Sequence, residues 1–223
     1  MTVNPVMASQ TEENYLKGLL TLADNKGETA ISDLSNLLQV STPTANSMVK
    51  NLSEQGLVHY EKYKPISLTA KGKKEAALVI RRHRLTEMYL VEKMGFGWET
   101  VHEIAEQVEH IKSPIFFDRM DELMGHPTVD PHGSPIPDKN GKISAKPYQK
   151  LSDCKAGDVV KFAAITHSSE EFLKYLNSKK LSLGLPIKIE SVEAFDGSVT
   201  ILYHKNLRET LSAVVCQKML VDK

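Results

Sequence analysis

Within the first seventy residues, three short amphipathic segments precede two short apolar runs that flank a Lys-Tyr-Lys-Pro turn, an order that leaves few folds open. From Thr11 to about Asp24 the residues Tyr15, Leu16, Leu19, Leu20 and Ala23 form a helical stripe, which Asn25-Lys26-Gly27 breaks. Ser32 and Asp33 are candidate N-caps for a second helix through Leu34, Leu37 and Leu38. Val40-Ser41-Thr42-Pro43-Thr44 then offers a capping hydroxyl and a proline suited to a first helical turn. The third helix turns Ala45, Met48, Val49 and Leu52 inward and ends at Gly56. Leu57–Tyr60 and Ile66–Leu68 read as the strands of a hairpin around Lys62-Tyr63-Lys64-Pro65. Helix, helix, helix and hairpin predict a winged helix-turn-helix. The hydroxyl-rich, Asn-bearing start of the third helix suits base edges and phosphates. Any small α/β module with the same order of elements is the competing reading.

Thr69-Ala70-Lys71-Gly72 opens a long helix to about Met94, and a further helix is expected from Trp98 to Lys112. Ser113-Pro114 breaks it, and a shorter helix continues through Ile115, Phe116, Met120, Leu123 and Met124. The segment from His126 to Lys142, rich in proline, reads as an extended linker. Beyond Lys150, strands are expected at Asp158–Ile165, Pro186–Glu193, Ser198–Tyr203 and near Ala213–Leu220, with a helix centred on Phe172–Leu176. Asp196-Gly197 is a hairpin signal. These elements describe a small β-barrel without a nucleophile–base pair or a phosphate loop, suited to contact rather than chemistry.

The chemistry is concentrated between His102 and His110. Glu106, Glu109 and His110 follow His102 at +4, +7 and +8, so on an α-helix all four side chains share an arc of roughly 100°. His83 and Glu87 repeat the i, i+4 spacing inside the long helix. Carboxylates converging with imidazoles suit a hard or borderline divalent cation, against the plainer reading of a solvated, Glu-rich helix face.

The charge is placed to match. The chain is formally neutral, but residues 62–84 carry eight Lys or Arg against Glu75 alone, while residues 99–122 carry seven acids against Lys112 and Arg119. Such a division suggests phosphate contact in the first segment and cation binding in the second. No apolar run approaches the ~18 residues of a membrane span, and residues 1–10 lack the pattern of a signal peptide. The two cysteines, Cys154 and Cys216, are far apart, which argues against a disulfide framework and makes a cytoplasmic location the default.

Taken together these motifs resemble the DtxR/MntR family of metal-dependent transcriptional repressors over essentially the full length. The resemblance is carried by Glu12-Glu13-Asn14-Tyr15-Leu16, Ser41-Thr42-Pro43-Thr44, Leu68-Thr69-Ala70-Lys71-Gly72, Arg82-His83-Arg84-Leu85-Thr86-Glu87, Val101-His102-Glu103, Glu106-Gln107-Val108-Glu109-His110 and Pro131-His132-Gly133-Ser134-Pro135-Ile136-Pro137. It implies an α+β, mainly helical chain. Its parts would be a winged helix-turn-helix at 1–72, a helical metal-binding and dimerisation domain with its linker at 73–146, and an SH3-like, FeoA-related domain at 147–223.

Carried over residue by residue, the resemblance makes His83, Glu87 and His102 one metal site, and Glu106, Glu109 and His110 a second, completed from the first helix. There the chain departs from its relatives. Asn14 stands where the iron-type has Met and the manganese-type Asp, and Lys17 stands where the manganese-type has Glu one turn later. Asp130 stands where three-domain relatives have a Cys that can join the first site. Glu106 replaces the iron-type Cys, so the ligand set is all oxygen and nitrogen, which favours Mn²⁺ with Fe²⁺ as the alternative. Two ions per subunit are implied, in a homodimer on double-stranded operator DNA, with neither a membrane nor a small-molecule substrate as partner.

For DNA contact the resemblance points to Thr42, Pro43, Thr44, Asn46 and Ser47. Thr44, Asn46 and Ser47 are candidates for base edges and Pro43 for a thymine methyl; Ser41, Thr11, Lys62 and Lys64 are candidates for phosphates. No catalytic residue is expected. The rival readings are a helical di-metal carboxylate enzyme, whose Glu-x-x-His motif is not met at His110 because Gln107 stands three residues before it, and a metal-independent architectural DNA-binding protein.

Overall fold

The computed structural model describes residues 8–23, 26–144, 146–166 and 169–223. The chain divides into two compact units, each assembled from three stretches. Met1–Thr86, Ala105–Met120 and Ile136–Ser144 make the first; Glu87–Ile104, Asp121–Pro135 and Ala145–Lys223 make the second.

The first unit begins with α1 (Gln10–Leu22), which starts where a reciprocal capping box closes: Ser9 Oγ accepts from the Glu12 backbone, and the Glu12 carboxylate accepts from the Ser9 N–H. Then follow β1 (Glu28–Thr29), α2 (Ile31–Leu37), α3 (Thr42–Glu54), β2 (Val58–His59) and β3 (Ile66–Leu68). Leu16, Leu19, Leu34, Ala45, Val49, Leu52 and Ile66 meet in one core. Burial of each large side chain stabilises it by about 1.5–3 kcal/mol, so the helical stripes expected from the sequence are what holds the three helices together.

One expectation is corrected here. The cap of α2 is Ala30, without a side-chain bond, so Ser32 and Asp33 lie inside the first turn rather than at its N-cap. The chain arrives there from β1, a strand too short for periodicity to reveal, which pairs antiparallel with β3 (Glu28 with Ser67, Thr29 with Ile66) to make a sheet of order β1-β3-β2. That pairing sets where helical dihedrals can begin.

The long helix α4 (Ala70–Met94) has the expected bounds. Its start is closely packed in the first unit, where a Cβ on Gly72 would lie 1.9 Å from the Leu57 carbonyl oxygen. The next helix, α5 (His102–Val108), is shorter than expected. Trp98 joins the apolar core of the second unit and its indole N–H donates to Asn177 Oδ1 at 2.8 Å, so residues 98–100 form a turn. Glu109 and His110 likewise fall in the turn that follows α5, although the Glu109 N–H still donates to the Ala105 carbonyl at 2.9 Å. Pro114 then opens α6 (Pro114–Leu123).

The stretch read as an extended linker is folded instead. Asp130 and His132 are buried in the second unit and Ile136 in the first, and Val129 and Pro135 pair as an isolated antiparallel bridge. Asp130 explains the turn: its Oδ1 accepts from the His132 N–H at 2.8 Å and the Ser134 N–H at 2.9 Å.

The rest of the second unit is a six-stranded antiparallel sheet of order β4-β9-β5-β6-β7-β8 carrying two helices. Its elements are β4 (Gln149–Lys150), β5 (Val159–Ile165), α7 (Glu170–Ser178), β6 (Pro186–Val192), β7 (Val199–Tyr203), β8 (Leu207–Leu211), α8 (Ala213–Lys218) and β9 (Met219–Asp222). The terminal strand expected near Ala213–Leu220 is therefore a helix followed by a strand. Ser212 caps that helix through the Val215 N–H, and Cys216 faces the core, which outweighs the β preference of Val214-Val215. Strands β4 and β8 were not anticipated.

Candidate functional site

In the second unit Glu87, Asp130 and His132 converge: one ligand atom from each lies within 4.8 Å of the other two, and all three residues are buried. Glu87 comes from α4, the other two from the Asp130 turn. His132 Nδ1 is 3.7 Å from Glu87 Oε2 and 4.0 Å from Asp130 Oδ1. Its other ring nitrogen, Nε2, is 2.9 Å from the Trp98 carbonyl and donates to it, which leaves Nδ1 as the lone-pair nitrogen facing the carboxylates. The ring also stacks on Trp98 at 5.9 Å and 14°.

His102, on the first turn of α5, brings Nδ1 to 3.3 Å from Glu87 Oε1. Burial disfavours the charged form of His132, but the hydrogen bond and charge of Glu87, then the charge of Asp130, outweigh it and hold the pKa above the ordinary 6.5. Two buried carboxylates and an oriented imidazole are a fitting donor set for a divalent cation. His132 was not among the expected ligands; the Asp-x-His spacing in the supposed linker was its only signal.

The remaining expected ligands belong to the first unit, where a second cluster forms. Glu109 is fully buried; its Oε2 is 2.6 Å from His83 Nδ1 and its Oε1 is 2.7 Å from Lys17 Nζ. The same ammonium is 2.7 Å from Glu106 Oε1. His110 Nδ1 lies 2.6 Å from Glu13 Oε2, while Glu13 Oε1 pairs with Arg82 at 2.8 Å and with Lys112. Among the described residues, Asn14 Oδ1 and His110 Nε2 are buried side-chain atoms without a hydrogen-bond partner. Glu13, Lys17, Arg82 and Lys112 were not foreseen as members of this cluster. Long-range ion pairs leave no local pattern.

Also in the first unit, α3 presents Ser41, Thr42, Pro43, Thr44 and Ser47 to solvent, with Asn46 half-buried. Ser41 is the N-cap of α3: its Oγ accepts from the Thr44 N–H at 3.3 Å and lies 2.8 Å from the Thr44 hydroxyl. Tyr60 steadies Asn46, with its hydroxyl 3.5 Å from Oδ1. Asn46 and Lys50 from α3 share a concavity of about 430 Å³ with Tyr60, Lys62, Tyr63 and Lys64 from the hairpin. Tyr63 stands at the hairpin tip, almost fully exposed and with φ 68°, and Lys62 Nζ sits 4.8 Å over its ring. A basic, aromatic tip beside an amide- and hydroxyl-bearing helix is suited to phosphates and base edges. Thr11 is exposed on the first turn of α1.

Comparison with known proteins matches the chain in three successive segments. Residues 7–66 match the model of the iron-dependent repressor N-terminal DNA-binding domain. Residues 69–138 match the iron-dependent repressor metal-binding and dimerisation domain, and residues 149–223 match the FeoA domain. The chain is 33% identical over 127 residues to the iron-dependent repressor IdeR of Mycobacterium leprae (strain TN), covering 57% of this chain but only 55% of that protein. It is 31% identical over 118 residues to the HTH-type transcriptional regulator MntR of Bacillus subtilis (strain 168), covering 53% of this chain and 82% of that protein. A manganese-dependent transcriptional repressor solved in complex with manganese superposes with a TM-score of 0.84 at 30% identity, over 94% of this chain and 98% of that one.

Proposed function

This chain belongs to the iron-dependent repressor family, and from that premise we propose that it is a repressor whose grip on operator DNA depends on a divalent metal ion. Mn²⁺ is the preferred ion and Fe²⁺ the alternative; the chain acts as a homodimer on palindromic operators that control metal uptake. The observation that carries this reading is the convergence of Glu87, Asp130 and His132 in a buried, all-oxygen-and-nitrogen donor set. Glu87, Asp130, His132 and His102 hold the ion. A bound cation supplies the positive charge that lets two neighbouring carboxylates stay ionised.

The protein's own residues do the rest. Trp98 holds His132 in the tautomer that presents Nδ1, and the Ser134 and His132 backbone N–H groups orient Asp130. For DNA affinity to follow metal, these donors must hold the ion more tightly in the DNA-competent form. A coupling of ~1–3 kcal/mol corresponds to a roughly 5–150-fold change. On the DNA side, Thr44, Asn46 and Ser47 read bases, and Ser41, Thr11, Lys62, Lys64 and Tyr63 hold the backbone.

The test is polarisation of a labelled duplex, selected from random sequence in the presence of Mn²⁺, titrated with and without the metal. Affinity is expected to rise within the range just given when Mn²⁺ is present. Equal affinity would favour the architectural DNA binder, and oxygen-dependent turnover with Fe²⁺ would favour the enzyme.

The pH dependence has a defined sign. A metal donor must lose its proton, and His132 holds its proton above the ordinary 6.5. Apparent Mn²⁺ affinity should therefore fall as pH drops through that raised value. The metal-free chain runs the other way: the stability it draws from protonated His132 beside Glu87 is complete at low pH and lost as pH rises through the folded-state pKa. Calorimetric Mn²⁺ titrations between pH 6 and 8 check the first, and an affinity that rises on acidification would contradict it.

A further inference from the structure

The second ion implied by the resemblance meets a resident cation. We infer that Lys17 takes its place: the ammonium is the built-in cation of the carboxylate cluster at the end of α5, so each subunit binds a single divalent ion and α1 is held there without metal. This rests on the reading of the chain as a metal-dependent repressor, and three observations carry it.

The first is position. Lys17 Nζ bridges Glu106 Oε1 and Glu109 Oε1 at 2.7 Å each, which uses both carboxylates that a second ion would need, and Glu109 is fully buried. The second is charge. Glu13, Glu106 and Glu109 face Lys17, Arg82 and Lys112, three anions against three cations before either histidine takes a proton. A divalent ion added to this balance would bring two uncompensated positive charges beside the fully buried Glu109, where screening by water is weakest. The third is what remains. Asn14 Oδ1 lacks a hydrogen-bond partner, and the carboxylate oxygen nearest His110 Nε2, Glu109 Oε1 at 3.4 Å, is the one that Lys17 holds. With that oxygen engaged by the ammonium, an amide and an imidazole make a poor set for a hard cation.

The consequence concerns α1, the first helix of the DNA-reading unit. Where a metal ion joins this helix to the carboxylates, its position waits on the metal. Here a covalently attached ammonium makes that join permanently, and metal control is left to the Glu87–Asp130–His132 cluster.

The experiment counts Mn²⁺ per chain by plasma mass spectrometry after equilibrium dialysis of the full-length protein. Wild type and Lys17→Arg should hold one ion. Lys17→Glu, which puts a fourth carboxylate in place of the ammonium, should hold two. Lys17→Gln supplies the same test without charge reversal should the first variant fail to fold, and it too should gain an ion. Hydrogen exchange on the metal-free chain gives a second readout: α1 amides should be protected in wild type and lose protection in Lys17→Gln. Two ions on wild type, no gain in either Lys17 variant, or an unprotected α1 in the metal-free wild type would overturn the inference. The absence of any ion on wild type would overturn the repressor reading as well, so the two failures are distinguishable.

Discussion

Replacing Glu87 with Gln is expected to abolish the metal response while leaving the fold in place. The amide keeps the size of the side chain and one acceptor oxygen, but removes the charge that faces His102 at 3.3 Å and His132 at 3.7 Å. Loss of outer-shell partners of metal ligands costs about 10–100-fold in affinity, and loss of a ligand carboxylate should exceed that. In calorimetry, Mn²⁺ binding should weaken by at least about 100-fold, and the polarisation assay should give the same DNA affinity with and without metal. The melting temperature of the metal-free chain should change little above the folded-state pKa of His132, where the ion pair with Glu87 is already lost. Wild-type Mn²⁺ affinity in this variant would remove Glu87 from the site and with it the mechanism.

The second large effect is expected at Gly133, which touches no ion. Its φ of +86° is a conformation that side chains with a Cβ rarely adopt. In addition, a Cβ there would lie 2.3 Å from the Ala163 carbonyl oxygen and 2.5 Å from the Ala164 Cβ. The contacts are with β5, whose Ile165 N–H donates to the His132 carbonyl at 3.0 Å, so there is no flexible side chain to give way. Gly133→Ala should cost about 3–5 kcal/mol, combining backbone strain with overpacking. That corresponds to a drop on the order of 10 °C in melting temperature. Mn²⁺ affinity should fall with it, because the turn that cannot dock is the one that presents Asp130 and His132. Gly125→Ala is the control: φ is +69° but nothing lies within 4 Å, so only the backbone cost of about 1 kcal/mol remains. Equal melting temperatures for the two variants would show that the close approach to β5 does not position the turn.

Legibility in the sequence followed the range of the information. The three helices of the DNA-reading module could be read because their stripes repeat every turn, and the bounds of α4 emerged because Thr69 and Gly72 mark its start. The Ser41 cap and Pro43 place α3 within a residue of its expected start. The helix expected from Trp98 began too early because Trp98 itself bonds to Asn177, 79 positions away. The proline-rich stretch read as a linker because proline counts describe stiffness and not docking. What docks it is the Asp130 turn against β5.

The sequence by itself determined the class of this protein: a winged DNA-reading module, a helical pair rich in carboxylate and imidazole donors, and a small β domain. Each depends on periodicity, caps or short motifs, which are properties of neighbouring residues. Only the tertiary structure decided how those donors are used. It joined Glu87 to Asp130 and His132, drew Trp98 behind the imidazole, and set Lys17 between Glu106 and Glu109, 89 and 92 residues along the chain. The physical reason is that a buried charge must be paired where the fold leaves it, and the partner is chosen by proximity in space.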